Sequence, residues 1–139
     1  MSTLKESRVS YIEDYFSRLL TAAELSDNIF AGTLPLTTDS EWEDMVLIEV
    51  NKMTDYEAYT QGSVSIYLYA RPTGTPAVKN VNLLNKMEKK LDAAIADAVD
   101  DNYIISEQWR DSDYDDDRNF HYDVVNVSVM TRKDQRKQS

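Results

Sequence analysis

Cysteine is absent from this chain, which excludes a disulfide framework, a thiol nucleophile and a thiolate metal site. Histidine occurs once, as His121, so any transition-metal centre would have to combine a single imidazole with carboxylates. Glycine and proline number only three each. There is no G-x-x-x-x-G-K-S/T phosphate loop and no G-x-G-x-x-G dinucleotide turn, and no serine sits in a G-x-S-x-G elbow. Long apolar runs are missing too. The longest, Met45 to Ile48 and Ile66 to Ala70, fall far short of the roughly 20 residues that span a bilayer, and the N-terminus carries no apolar signal core. These absences predict a soluble, non-secreted protein without a membrane partner, in keeping with a reducing compartment.

Positive charge is also scarce. Against 25 acidic residues stand 15 basic ones, a net charge of -10, and four of the basic residues (Arg132, Lys133, Arg136 and Lys137) cluster after Met130 with only Asp134 opposing them. From Asp92 to Asp117 ten residues are acidic and only Arg110 is basic. Such a chain repels phosphate at long range, which predicts no tight nucleic-acid binding, although solubility alone would also account for the charge.

What the sequence does contain is amphipathic pattern. At 139 residues it suits one domain. From Val78 to Val99 the residues Leu84, Met87, Leu91, Ala94, Ile95 and Ala98 recur at the spacing of one helix face, so a helix is expected here, covering a sheet. An earlier helix is expected from Leu4 to Glu24, opened by a Thr3/Glu6 capping box and striped by Val9, Ile12, Phe16, Leu19 and Ala23. Ser26 to Glu43 has no sustained period and reads as a connecting segment whose end Trp42 anchors.

Strand alternation follows in four places. Met45 to Lys52 sets Val46, Ile48 and Val50 against Leu47, Glu49 and Asn51, and Met53 to Glu57 then reads as a polar turn region. Tyr59 to Arg71 carries Val64, Ile66, Leu68 and Ala70 on one face and Tyr67 and Tyr69 on the other; Pro72, Gly74 and Pro76 end it. A third strand is expected from Tyr103 to Arg110, then a polar tip from Asp111 to Asn119, then a fourth strand from Phe120 to Thr131 with Val125, Val127 and Val129 on one face. The expected fold is α+β, with two helices on one face of a four-stranded, largely antiparallel sheet in the order α-β-β-α-β-β. Residues 1–131 form the single domain and 132–139 a mobile basic tail.

Few residues suggest chemistry. Asp111, Asp113 and Asp115 repeat the start of a calcium loop, but Asp116 stands where that loop needs glycine and Tyr122 where it needs glutamate. They are the weak metal candidates, and together with Asp116 and Asp117 they better suit a solvated hairpin tip or a charged surface for a partner. Tyr67 and Tyr69 on a sheet face away from the helices suit a partner or simple cross-strand pairing. His121 reads as structural. Paired carboxylates such as Glu41 and Glu43 do not stand out from the acidic background, so no catalytic residue and no cofactor is assigned and no enzymatic activity is expected.

The run from the Tyr59 to Arg71 strand, through A-R-P-T-G-T-P, into N-L-L-N-K-M-E-K-K-L-D-A-A-I resembles the tail-terminator, or tail-completion, proteins of long-tailed bacteriophages and prophages. The likeness covers the first helix to Met130 and rests on element order and length rather than on a ligand motif. It implies a virion protein assembled in the host cytoplasm, whose partners are further copies of itself in a hexameric ring, the tail-tube protein and the head connector protein. An acidic ring lumen would let DNA slide past. The reading from another class is a small intracellular protein-binding or regulatory module that uses the acidic hairpin.

Overall fold

The computed structural model describes residues 9–98 and 103–132. Helices α1 (Val9–Ala22) and α2 (Val81–Asp97) accompany five strands: β1 (Ile29–Ala31), β2 (Asp44–Asp55), β3 (Tyr59–Ala70), β4 (Ile104–Asp115) and β5 (Phe120–Arg132). In space the strands run β1-β2-β3-β5-β4. β1 pairs with β2 in parallel, and every other pairing is antiparallel. The Thr3/Glu6 capping box, the first turn of the expected first helix and residues 133–139 of the expected basic tail lie outside the described residues, whereas Arg132, expected in that tail, ends β5.

The α+β class stands, but the sheet has five strands rather than four and is mixed. The extra strand, β1, lies inside the segment read as a connection. Three residues are too few to display a period, and β1 exists because its flanks bond to β2: Val46 N–H donates to Asn28 O and Gly32 N–H to Ile48 O, each at 2.8 Å. β2 is also longer than expected. It runs on to Asp55, so Met53 belongs to the strand, and the turn to β3 is closed by Tyr56 N–H donating to Tyr59 O at 2.8 Å.

The main core follows the alternation. Val46, Ile48, Val64, Ile66, Leu68, Ala70, Val125, Val127 and Val129 from the sheet meet Ile12, Phe16 and Leu20 of α1 and Leu84, Met87, Leu91 and Ala94 of α2. Each of these side chains removes apolar area from water, and together they are the chief stabilising term of the fold. α2 begins at Val81, three residues later than its apolar pattern suggested. Asn80 caps it, its Oδ1 accepting Leu83 N–H at 3.1 Å, while Thr73 and Val78 exchange two backbone hydrogen bonds at 2.9 and 2.8 Å that hold Val78 in the preceding turn.

A second, smaller core lies on the opposite face of the sheet. Met45, Leu47, Tyr69 and Phe120 are buried there, packed by Phe30, Leu34, Trp42, Tyr67 and Tyr122. The segment between β1 and β2 therefore folds back over the top of the sheet's outer face, the face turned from the helices, and among the described residues the lower part is uncovered.

Candidate functional site

Tyr67 and Tyr69 do lie on the outer face and pair across it with Val124 and Tyr122, but burial removes Tyr69 from the expected partner surface. Tyr69 is only 5% exposed, with its ring centroid 5.0 Å from that of Tyr122 and 6.1 Å from that of Phe120. It is a core residue of the smaller cluster and is not available to a partner. Tyr67 is half-buried and its hydroxyl donates to Glu49 Oε1 at 3.2 Å. Burial pushes the Tyr69 phenol well above the usual tyrosine range, and the negative charge of Asp115 adds to the shift. Tyr67 and Tyr122 are raised too, first by burial and then by Glu49 and Asp113 respectively.

The aspartate run does not form a cation loop. β4 continues through Asp115, so Asp111, Asp113 and Asp115 occupy alternate positions on one face, opposite Val124, Tyr122 and Phe120. At the strand rise, alternate residues stand about 7 Å apart and their carboxylates do not converge. Each is also engaged locally. Asp111 Oδ1 accepts Ser112 N–H and Asp113 Oδ1 accepts Tyr114 N–H, both at 2.8 Å. Asp115 shapes the turn, its Oδ1 accepting Arg118 N–H at 3.1 Å and its Oδ2 lying 3.3 Å from Arg118 Nη1. Asp116 and Asp117 are exposed on the turn itself. Among the described residues no group of three or more His, Cys, Asp or Glu side chains is arranged to hold a metal ion. His121 packs its ring 4.7 Å from Tyr114.

The amides of Ser112 and Tyr114, which donate to these aspartates, mark β4 as an edge. An amide that bonds the carboxylate beside it points away from β5, toward the open side of the sheet. β4 is the last strand in the order, and nearly all of its residues are exposed, including Ile104 at 43% and Trp109 at 50%. Beyond its ladder with β5, charge ties it to α2 and to the turn before that helix. Arg110 reaches Glu88 and Asp92 of α2 at 2.6 Å each and Glu107 on its own strand at 2.7 Å, and Lys79 reaches Ser112 and Asp123 at 2.7 and 3.3 Å. The hydrogen bond from Arg110 holds the Glu107 carboxyl below its usual value, whereas burial, reinforced by nearby Asp123, raises that of Glu88.

On the uncovered lower part of the outer face lies a shallow groove of about 460 Å³, bordered by Trp109, Gln108, Lys52 and Tyr56. Its floor is polar and internally satisfied. Asn126 Nδ2 donates to Ser63 and Ser65 at 2.8 and 3.1 Å, Asn51 Nδ2 donates to the same hydroxyls, and Gln61 Nε2 donates to Ser128 at 2.9 Å. Groups that satisfy one another this fully stiffen the sheet and leave little unmet demand for a small ligand.

Two residues that sequence reasoning passed over hold the upper end together. Arg71 lies 4.2 Å above the Phe120 ring, and its guanidinium donates to the carbonyls of Trp42, Asp39 and Arg118. Arg118 in turn donates to Pro35 O at 3.1 Å. No one-dimensional signal marks these partners, which lie as far as 83 positions away in the chain.

No protein-family model matches this chain, and no curated protein matches it in sequence. Among the described residues no helix is long and apolar enough to cross a membrane.

Proposed function

We propose that this chain is a structural virion protein of the tail-terminator kind, which assembles into a ring, caps the tail tube and joins it to the head connector. The observation that carries this reading is β4: a twelve-residue edge strand, exposed along nearly its whole length, with no strand beside its outer edge among the described residues. An uncovered edge of this length is a template for pairing with another chain, and soluble monomers usually blunt such edges. Contact between different edges of identical subunits closes into a ring when the rotation between neighbours permits. The chain's negative charge suits a lumen through which DNA slides without binding tightly, and the ring is expected in the virion rather than at a membrane.

The test is direct. Purified protein mixed with tail tubes should decorate tube ends in electron micrographs and block further tube joining or growth. Binding along the tube walls, or none, counts against this reading. The alternative, a small protein-binding or regulatory module, draws on the same hairpin, whose Asp111, Asp113, Asp116 and Asp117 are exposed. It predicts capture of a basic peptide by the monomer, weakened by salt.

A further inference from the structure

The sheet leaves two stretches of edge open, and they match. β1 occupies the edge of β2 only from Val46 to Ile48, so among the described residues no strand lies beside Glu49–Thr54. On the far side, the edge of β4 is divided. Its upper half is capped by its own aspartates, which take the outward amides of Ser112 and Tyr114. No such carboxylate cap covers the outward amides of its lower half, Ile104–Arg110, among the described residues. The β4 register shift between Glu107 and Trp109 falls close to the boundary between these halves.

The two open stretches lie at the same end of the sheet, since Thr54 pairs with Gln61, Gln61 with Met130 and Met130 with Ile104. Three successive antiparallel pairings separate β2 from β4, so the two strands run in opposite directions. A β4 laid beside the β2 of another copy, with both sheets facing the same way, is therefore antiparallel to it, the pairing that needs least distortion.

We propose that copies of this chain join head to tail, with the Ile104–Arg110 edge of one pairing antiparallel to the Glu49–Thr54 edge of the next, so that one sheet continues from subunit to subunit. The contact rests on the self-assembly reading above and supplies its geometry. Ile104 and Trp109 lie on the outer face of β4, opposite Met130 and Asn126, and Lys52 and Thr54 lie on the outer face of β2. The exposed Trp109 and Ile104 then gain the aliphatic stem of Lys52 and the methyl of Thr54 to pack against. Because a bulge bends its strand, the aspartate-capped half diverges from the neighbour's β1 instead of competing for its place. The aspartate caps restrict pairing to the lower half, which sets the register.

The absence of cysteine makes the test clean. Ser106→Cys on β4 and Lys52→Cys or Thr54→Cys on β2 place single thiols on the outer face of the two edges. Under mild oxidation a mixture of Ser106→Cys with one of the β2 variants should give disulfide-linked dimers well above the yield of either variant alone, and the Ser106→Cys/Thr54→Cys double variant should give a ladder of oligomers or a closed ring. Dimers formed as readily by Ser106→Cys alone would mean β4 pairing with β4 about a two-fold axis, and would overturn the proposal. So would the absence of any cross-link together with a strict monomer of the unaltered protein in sedimentation at its highest soluble concentration. Cross-linking that succeeds while tube ends stay bare would leave the edge pairing and remove the tail reading, so the two failures are separable.

Discussion

Gly62 is a residue whose smallness does structural work. It sits in β3 opposite Met53, beside the register shift in β2, and a Cβ there would overlap the Met53 thioether and the backbone carbonyl of Lys52. The thioether can swing aside, but the carbonyl belongs to the ladder. Gly62→Ala should therefore cost about 1–3 kcal/mol, the range for overpacking, measured as a lowered midpoint in thermal or urea denaturation. The three clustered tyrosines make a second residue-scale prediction. Tyr67, Tyr69 and Tyr122 all have phenols raised above their ordinary value near 10, so above that pH the unfolded chain loses protons that the folded chain keeps. Their contribution to stability is complete below pH 10 and declines as pH rises beyond it. Tyrosinate absorbance should show three phenols titrating late, and Tyr69→Phe should make the alkaline loss of stability shallower.

At the scale of elements, the ends of strands and helices are held by side-chain bonds that periodicity does not encode. Asn80 closes the start of α2 through Leu83 N–H, and Asn80→Ala should cost about 1 kcal/mol by denaturation, the usual worth of such a cap. Arg71 binds the segment between β1 and β2 to the hairpin turn by donating to three carbonyls. Arg71→Ala should free the segment from Asp39 to Trp42, seen as red-shifted, more quenchable Trp42 fluorescence and faster amide exchange there, with the main core unaffected. Arg71→Lys should not restore it, because an ammonium cannot present the planar fork that spans these acceptors.

For the whole molecule, the aspartates of β4 cap part of the sheet's open edge. With the outward amides of Ser112 and Tyr114 released, the entire edge becomes a pairing template. The Asp111→Ala/Asp113→Ala variant should thus associate more strongly and less selectively than the unaltered protein, giving heterogeneous aggregates in light scattering at low salt. Calcium should shift its melting temperature no more than that of the unaltered chain, since the carboxylates serve the backbone rather than a cation. A large calcium-induced stabilisation of the unaltered protein alone would contradict this account.

The amphipathic periods of α1, α2, β3 and β5 were legible in the sequence because burial against a single core imposes them. The face assignments of Val64, Ile66, Leu68, Val125, Val127 and Val129 and the class of fold were determined by the sequence alone. Three things were decided only by tertiary structure. β1 is too short to carry a period and forms because β2 is there to pair with it. Tyr69 alternates like a surface residue, yet it is buried because a distant segment bearing Phe30, Leu34 and Trp42 folds over it. The aspartates at 111, 113 and 115 share their spacing with a metal loop, but the backbone stays extended and spreads them along a strand. In each case the sequence states what a residue can do, and contacts between segments far apart in the chain select which of those it does.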